Sequence, residues 1–498
     1  MNLNITFTNN LEVFLGELYL SLSILSLLIY GVIYTTSKYY NYPILIKNVS
    51  WLSVQVLLIS ILLIYNNPIP TMTIFNHVLI HDNFTSFIKL VILSATVICI
   101  LISFNYIKSE KLNYYEYVIL ILIATLGMLL LVSSYDLISM YLAIEMQSLS
   151  LYVLATFKKN SSFSTEAGLK YFILGAFASG ILLFGSSLIY GFSGTTNFEE
   201  LAKLFTGTHI SSINISSGIF VGLIFIACGL LFKLTAVPFH MWAPDVYEGS
   251  PTSVTAFFAI VPKISLLALF LRLYLYTFYD LIESWQQFII LCAIGSMVIG
   301  SLVAIRQQKI KRLLAYSSIG HIGYMLVAIS TGTVEGIQAL LIYIIIYMIM
   351  SINIWSVILV LEKQNNTGRI KYISDFKLLS QINPILAFTV TMTMFSMGGI
   401  PPLPGFIAKL SVFFSAIESS MSLISILGVL TSVISSFYYI RFIKVMYFEK
   451  NVNWTFYKPI DREKSLVLGM TFFFLLFFCF SPNFLLLLTH KMALFLCL

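Results

Sequence analysis

Four lysines stand inside long apolar runs: Lys170, Lys233, Lys263 and Lys409. A charged side chain at the centre of a bilayer costs at least ~2.5–3.5 kcal/mol, so such residues are not idle. An amine in hydrocarbon sheds its proton readily, and a nearby carboxylate holds the proton on. Moving the two apart therefore moves a proton, which is what a relay requires. The carboxylate that fits is Glu145, in the middle of MYLAIEMQSLSLY, with apolar turns on both sides. The alternative for Glu145 is a structural ion pair or a protonated, hydrogen-bonded acid. Asp136 and Glu116 lie near the ends of their runs and read as interfacial.

Lys233 lies in CGLLFKLTAVPFHMWAPDVYEGS, five residues before Pro238. An interior proline removes a backbone hydrogen bond and clashes with the preceding turn. In a membrane such a break is tolerated where the backbone lines a cavity or is buried in protein. Lys263 directly follows Pro262 in TSVTAFFAIVPKISLLALF. Lys409 follows FSMGGIPPLPGFIA, where Pro401, Pro402 and Pro404 interrupt a stretch too long for one plain helix. Two interrupted helices, each with its lysine, are the sequence pointer to inverted repeats around a midplane ion path. Three further residues are secondary relay candidates. Lys170 is near the start of its run, where an amine can also snorkel to the surface. His240 can shuttle a proton or serve as a hydrogen-bonded structural residue. His321, in YSSIGHIGYML, is a candidate for proton entry.

The elements that must hold these residues are membrane-crossing helices of roughly 20 apolar residues each. Runs near 13–35, 49–65, 86–106, 114–133, 136–157, 168–192, 216–241, 251–275, 284–304, 313–330, 337–361, 382–411, 420–440 and 465–489 give about fourteen. The first contains Glu12 and Glu17 and lacks a basic front, so it reads as a retained span rather than a signal peptide. The composition agrees. Of 498 residues, 59% are hydrophobic and 10% are charged, against about 25% charged in soluble domains. Mean hydropathy is +0.93. This excludes a cytosolic enzyme, a disordered protein and a secreted disulfide scaffold, and it makes the chain an all-α polytopic membrane protein.

The net charge of +7 reports orientation, not nucleic-acid binding. With fourteen spans, the connections on one side, Lys158, Lys159, Arg306, Lys309 and Arg312 among them, collect twenty lysines and arginines. The other side and its helix ends hold only Lys89, Lys203, Arg272 and Lys491. By the positive-inside rule the rich side is cytoplasmic or matrix, and both termini lie opposite. Five scattered cysteines show no CxxC or Cys/His spacing, so no metal site is expected. Dinucleotide fingerprints, Walker loops, nucleophile elbows and HExxH are absent from the sequence. The chain reads as one that moves ions without substrate chemistry of its own.

Several long segments carry a resemblance: YLAIEMQSLSLYVLA, STEAGLKYFILGAFASGILLFG, FKLTAVPFHMWAPDVYEGSPTSVTAFFAIVPK, KIKRLLAYSSIGHIGYML and GGIPPLPGFIAK. Over about residues 115–445 they resemble the antiporter-like membrane subunits of respiratory complex I, the NADH–ubiquinone oxidoreductase, and among them the subunit 2 family. That family is similar to Mrp-type cation/proton antiporters. The resemblance implies fourteen helices with two inverted five-helix repeats and two broken helices. It implies three N-terminal helices (1–112), a first half (113–275), a second half (276–445) and a final loop and helix (446–498). It implies a Glu145–Lys233 pair, a bridging Lys263 and an outer Lys409; a sibling subunit has Glu at that last position. Animal members lack the first three helices, which this sequence retains.

Also implied are neighbouring antiporter-like subunits of the membrane arm as partners, and lipids such as cardiolipin. NADH, FMN, iron–sulfur clusters and ubiquinone would be handled by other subunits, with no cofactor in this chain. The AFFAIVPKIS stretch resembles the mitochondrial form and its bacterial relatives. The abundance of Phe, Tyr, Ile and Asn suits an AT-rich organellar genome. The expected location is the mitochondrial inner membrane, with basic loops in the matrix and both termini in the intermembrane space. The rival functions are a stand-alone cation/proton antiporter and a non-pumping scaffold of the membrane arm.

Overall fold

In hydrocarbon every backbone N–H and C=O must be satisfied within the chain, so apolar runs rich in Ile, Leu and Val become helices whatever their propensity in water. The computed structural model describes residues 10–35, 46–67, 69, 71–110, 112, 114–206, 217–362, 369–449 and 457–497. Lys38, Lys111, Lys363 and Lys450, counted among the loop charges, lie outside the described residues. The helices in chain order are α1 (Leu15–Thr35), α2 (Ile46–Tyr65), α3 (Asn83–Ser109), α4 (Glu116–Ser133), α5 (Leu137–Ala155) and α6 (Ser162–Ser193). They continue with α7 (Phe198–Phe205), α8 (Ser217–Leu234), α9 (Trp242–Gly249), α10 (Thr252–Arg272), α11 (Ile282–Ile305) and α12 (Ile310–Ser330). The last are α13 (Val334–Val360), α14 (Pro384–Gly398), α15 (Pro404–Glu418), α16 (Ser422–Phe448), α17 (Arg462–Phe477) and α18 (Asn483–Cys497).

Among the described residues, thirteen helices are long and apolar enough to cross a membrane. The run 382–411 is delivered as two half-helices, α14 and α15. Gly399 ends α14 with φ +84°, and Pro404 opens α15. The run 465–489, expected as one helix, is also divided. Pro482 has no N–H to offer, and α17 gives way to a short 3-10 turn before α18 restarts. Many of the hydroxyls in the spans are turned back onto their own helices. Thr96, Ser103, Thr125 and Thr393 each donate to the carbonyl three residues earlier, so no buried hydroxyl there demands a partner in lipid.

The chain divides into two compact units. The first comprises Met1–Leu234, Gly249–Trp285 and Phe495–Leu498. Its centre is α10, every residue of which is buried. Helices α6 and α8 cross at a pair of glycines. A Cβ on Gly185 would lie 2.9 Å from the Gly222 carbonyl, and one on Gly222 would lie 3.0 Å from that of Gly185. At one end of this unit a hairpin, which the apolar-run reading did not anticipate, pairs β1 (Met72–Ile74) with β2 (Leu79–His81). Its turn residues Phe75, Asn76 and His77 all have positive φ. Tyr135 N–H donates to Val78 O and Phe198 N–H to Tyr135 O, lacing the hairpin to the loops before α5 and α7.

The second unit comprises Thr235–Glu248 and Gln286–Leu494. The acids of WAPDVYEG meet the bases of KIKR at one end of it. Arg312 donates to Asp245 at 2.5 Å and to Glu248 at 3.1 Å, and Lys309 also pairs with Glu248. This network fixes α9 against the start of α12.

Gly185→Val would force a branched side chain into backbone atoms that cannot yield. It is expected to destabilise the first unit by about 1–3 kcal/mol, read as a lower unfolding temperature of the detergent-solubilised protein.

Candidate functional site

In the first unit, α5 presents Glu145, Ser148 and Tyr152 at spacings of three and four residues, one helical face. Lys233 is the penultimate residue of α8, in the last turn, where the helix dipole favours a cation. The helix stops because Thr235 takes φ +68°, a conformation that costs an L-residue roughly 1–2 kcal/mol. The Lys233 amine is buried, at 8% exposure. It donates to the Tyr152 hydroxyl at 2.9 Å. Glu145 is near enough for its charge to act on the amine, yet among the described residues no salt bridge joins them. One Glu145 oxygen, Oε1, is buried without a hydrogen-bond partner among the described residues. The Glu145–Lys233 pair implied by the resemblance is thus not formed among the described residues, and the amine's hydrogen-bond partner is the Tyr152 phenol.

Lys263 lies within the fully buried α10, at 3% exposure, one residue after Pro262. Lys170 is different. It sits on α6, 42% exposed at its side chain, and pairs with Glu166 one turn away at 2.7 Å. This is the geometry of a surface ion pair.

In the second unit, Lys409 on α15 is 4% exposed. Its amine donates to Gly398 O at 2.9 Å. That carbonyl belongs to the last turn of α14, where carbonyls lack helical partners and the dipole is negative. The break created by Gly399, Pro401, Pro402 and Pro404 therefore supplies the counter-group for the lysine. Gly399 takes φ +84°, which favours glycine, and a Cβ there would lie 2.9 Å from Lys409 Cδ, so that the lysine side chain would have to shift. The amine also lies 5.2 Å from the centroid of the Tyr324 ring. A cavity of about 210 Å³, roomy enough for water, adjoins Lys409 and is lined by Gly399, Phe406, Phe413 and Ser432 among others.

His321 is buried in α12 within a ring of phenols. Its Nδ1 lies 2.8 Å from Tyr343 Oη and its Nε2 lies 3.3 Å from Tyr439 Oη. Both imidazole nitrogens are therefore engaged, as a relay or an anchor would need. His240 is buried in the turn after Pro238 and accepts from Ala243 N–H through its carbonyl.

Two buried ion pairs escaped the sequence reading, which counted Lys89 and Arg272 with the loop and helix-end charges. Lys89 on α3 pairs with Glu17 on α1, at 3% and 2% exposure. Arg272, at the end of α10, pairs with Asp82 at 2.5 Å. Asp82 also caps α3 by accepting from Thr85 N–H. The signal available was an acid in the first turns of α1, but no spacing rule links residues 72 positions apart. His81 adjoins both pairs, and burial, reinforced by the Lys89 charge, pushes it below its ordinary value. Among the described residues no group of three His, Cys, Asp or Glu side chains converges as a metal site would.

Removing Glu17 alone would strand a buried ammonium. Glu17→Gln is expected to cost about 3–5 kcal/mol, and Glu17→Leu with Lys89→Met to cost less. Thermal unfolding of the three proteins in detergent checks this order.

Residues 134–435 match the family model described as NADH:quinone oxidoreductase/Mrp antiporter, TM. The chain is 56% identical to the NADH-ubiquinone oxidoreductase chain 2 of Marchantia polymorpha, over 97% of its own length and 98% of that protein. It is 45% identical to the NADH-quinone oxidoreductase subunit N of Paramagnetospirillum magneticum, over 94% of each. Among solved structures, a chain of respiratory complex I from Thermus thermophilus with bound aureothin aligns with a TM-score of 0.78 at 27% identity, covering 95% of this chain and 98% of that one. A family match across both compact units and relatives aligned almost end to end place the protein: it belongs to the NADH:quinone oxidoreductase/Mrp antiporter membrane family, in the branch of NADH-ubiquinone oxidoreductase chain 2 and bacterial subunit N.

Proposed function

We propose that this chain is a proton-translocating subunit in the membrane arm of an NADH–ubiquinone oxidoreductase, housed in the mitochondrial inner membrane with its basic loops in the matrix and its termini opposite. The observation that carries the reading is the burial of Lys233, Lys263 and Lys409 in helices of a membrane protein. Two of them lie at helix interruptions. The relatives' names supply the complex in which such a relay would work. NADH, FMN, iron–sulfur clusters and ubiquinone belong to other subunits in this reading, and other membrane-arm subunits, with lipid such as cardiolipin, surround the chain.

Quinone reduction elsewhere changes the charge beside Glu145. The carboxylate then attracts Lys233 more or less strongly, and the amine gains or loses its proton. Lys263 is the intermediate site and Lys409 the terminal one, with His321 and His240 as proton-carrying side chains near the relay. Two unit charges 4 Å apart interact by about 4 kcal/mol at an effective dielectric constant near 20. One charge crossing 100 mV needs about 2.3 kcal/mol. Switching one ion pair is therefore on the scale of the work required. The two interrupted helices and their lysines support a pair of inverted repeats, 113–275 and 276–445, as the architecture of this relay.

In the assembled complex, Lys233→Met and Glu145→Gln are each expected to abolish most proton pumping and to slow quinone reduction, while NADH oxidation by an artificial acceptor is unchanged. Pumping at the native rate would identify a scaffold. Pumping that requires sodium would identify a cation antiporter. Gly399→Val, which drives a side chain into Lys409, is expected to reproduce the loss seen with Lys409→Met; proton uptake by reconstituted vesicles measures both.

A further inference from the structure

The hydrogen-bond partner of Lys233 is a phenol rather than the carboxylate. Its amine lies 2.9 Å from the Tyr152 hydroxyl and 5.3 Å from the ring centroid. These distances put the ammonium off the hydroxyl end of the ring rather than centred on its face, so the contact is a hydrogen bond to oxygen. Tyr152 is seven residues beyond Glu145 on α5, about 10 Å along the helix axis and on the same face. An amine bound to the Tyr152 hydroxyl makes no ion pair with the carboxylate, although the Glu145 charge still reaches it. Ser148 stands between them on that face. Its hydroxyl donates to the Glu145 carbonyl at 3.2 Å.

The phenol is held by a built enclosure. The Tyr152 ring meets Tyr171 edge-on at 4.7 Å and Phe172 at 5.7 Å. Tyr171 in turn packs on Phe258 of α10 at 5.8 Å. Opposite the hydroxyl, α6 offers Gly175, where a Cβ would come within 2.1 Å of the Tyr152 oxygen. A side chain at that position would displace the phenol. Tyr152 itself is only 5% exposed, so its position is set by protein on several sides.

We propose that Tyr152 is a positioning residue: the resting partner of Lys233, which holds the ammonium away from Glu145 until the carboxylate draws it over. The proposal rests on the relay reading above and deepens it. A neutral oxygen suits this role. It satisfies the buried ammonium, yet binds it less strongly than a carboxylate does, so the amine can leave. The phenol keeps its own proton throughout, and the exchange is one of hydrogen-bond partners only. Closing the Glu145–Lys233 pair then requires the Lys233–Tyr152 bond to break, which gives the relay two defined positions instead of a continuum.

The test uses the assembled complex in native membranes, with Tyr152→Phe, Gly175→Ala and Lys233→Met. Tyr152→Phe keeps the ring and removes one oxygen; Gly175→Ala keeps the oxygen and moves it. Both are expected to slow proton pumping about tenfold, the factor a hydrogen bond to a charged group is worth, with NADH oxidation by an artificial acceptor unchanged. Tyr152→Phe should also change the pH profile of pumping, because Lys233 loses a partner of its charged form; a purely structural role would lower the rate equally at every pH. Native pumping by Tyr152→Phe alongside a dead Lys233→Met overturns the proposal and leaves the relay standing. Native pumping by Lys233→Met as well overturns both. If Tyr152→Phe fails to assemble, pumping by assembled Gly175→Ala decides between the same two results.

Discussion

An ammonium cannot be left alone in hydrocarbon, and most of the structure around the buried lysines answers that constraint. The oxygens given to them differ in kind. Lys89 and Arg272 face carboxylates, Glu17 and Asp82. Lys233 faces a phenol and Lys409 a backbone carbonyl. A carboxylate holds a cation by charge and hydrogen bond together, whereas a neutral oxygen satisfies it without fixing it. The distribution separates two tasks. The ionic pairs join α1 to α3 and α3 to α10, helices that must stay together. The neutral partners serve the lysines proposed to exchange protons.

The helix interruptions belong to the same economy of charge. A continuous helix consumes its own carbonyls and has none to offer. Ending α14 at Gly398 frees a carbonyl within reach of Lys409, and the left-handed Gly399 removes the side chain that would bar the way. Ending α8 at Leu234 leaves Lys233 in a last turn, where the dipole favours its charge. Proline and glycine thus act here less as flexible points than as a means of exposing backbone oxygen to a cation. The same logic of omitted side chains recurs at Gly175, which leaves the space that the Tyr152 hydroxyl needs, and at Gly185 and Gly222, where two helices touch through backbone.

Much of this architecture can be read along the chain because the bilayer imposes a local rule. Twenty apolar residues in a row must form a helix, and a proline cluster within such a run must break it. The spans, the break before Lys409, the break between Lys233 and Trp242, and the lysines themselves follow from that rule alone. The division of α17 from α18 at Pro482 follows from it too, although 465–489 reads as a single span when hydropathy is followed without its proline. The hairpin at 72–81 is hidden for the opposite reason: its strands are three residues long, and its stability comes from being laced to distant loops.

The amino-acid sequence by itself determined where most of the apolar helices run, that proline interrupts the stretch ahead of Lys409, and that Lys233, Lys263 and Lys409 stand inside apolar runs. Only the tertiary structure decided which oxygen each cation meets. That choice depends on how helices are rotated and how closely they approach, and no periodicity within a helix encodes the rotation of its neighbour. Hence Lys233 finds Tyr152, 81 positions away, and Lys89 finds Glu17, 72 positions away, while Lys170, of the same residue type and equally within an apolar run, is left at the surface beside Glu166.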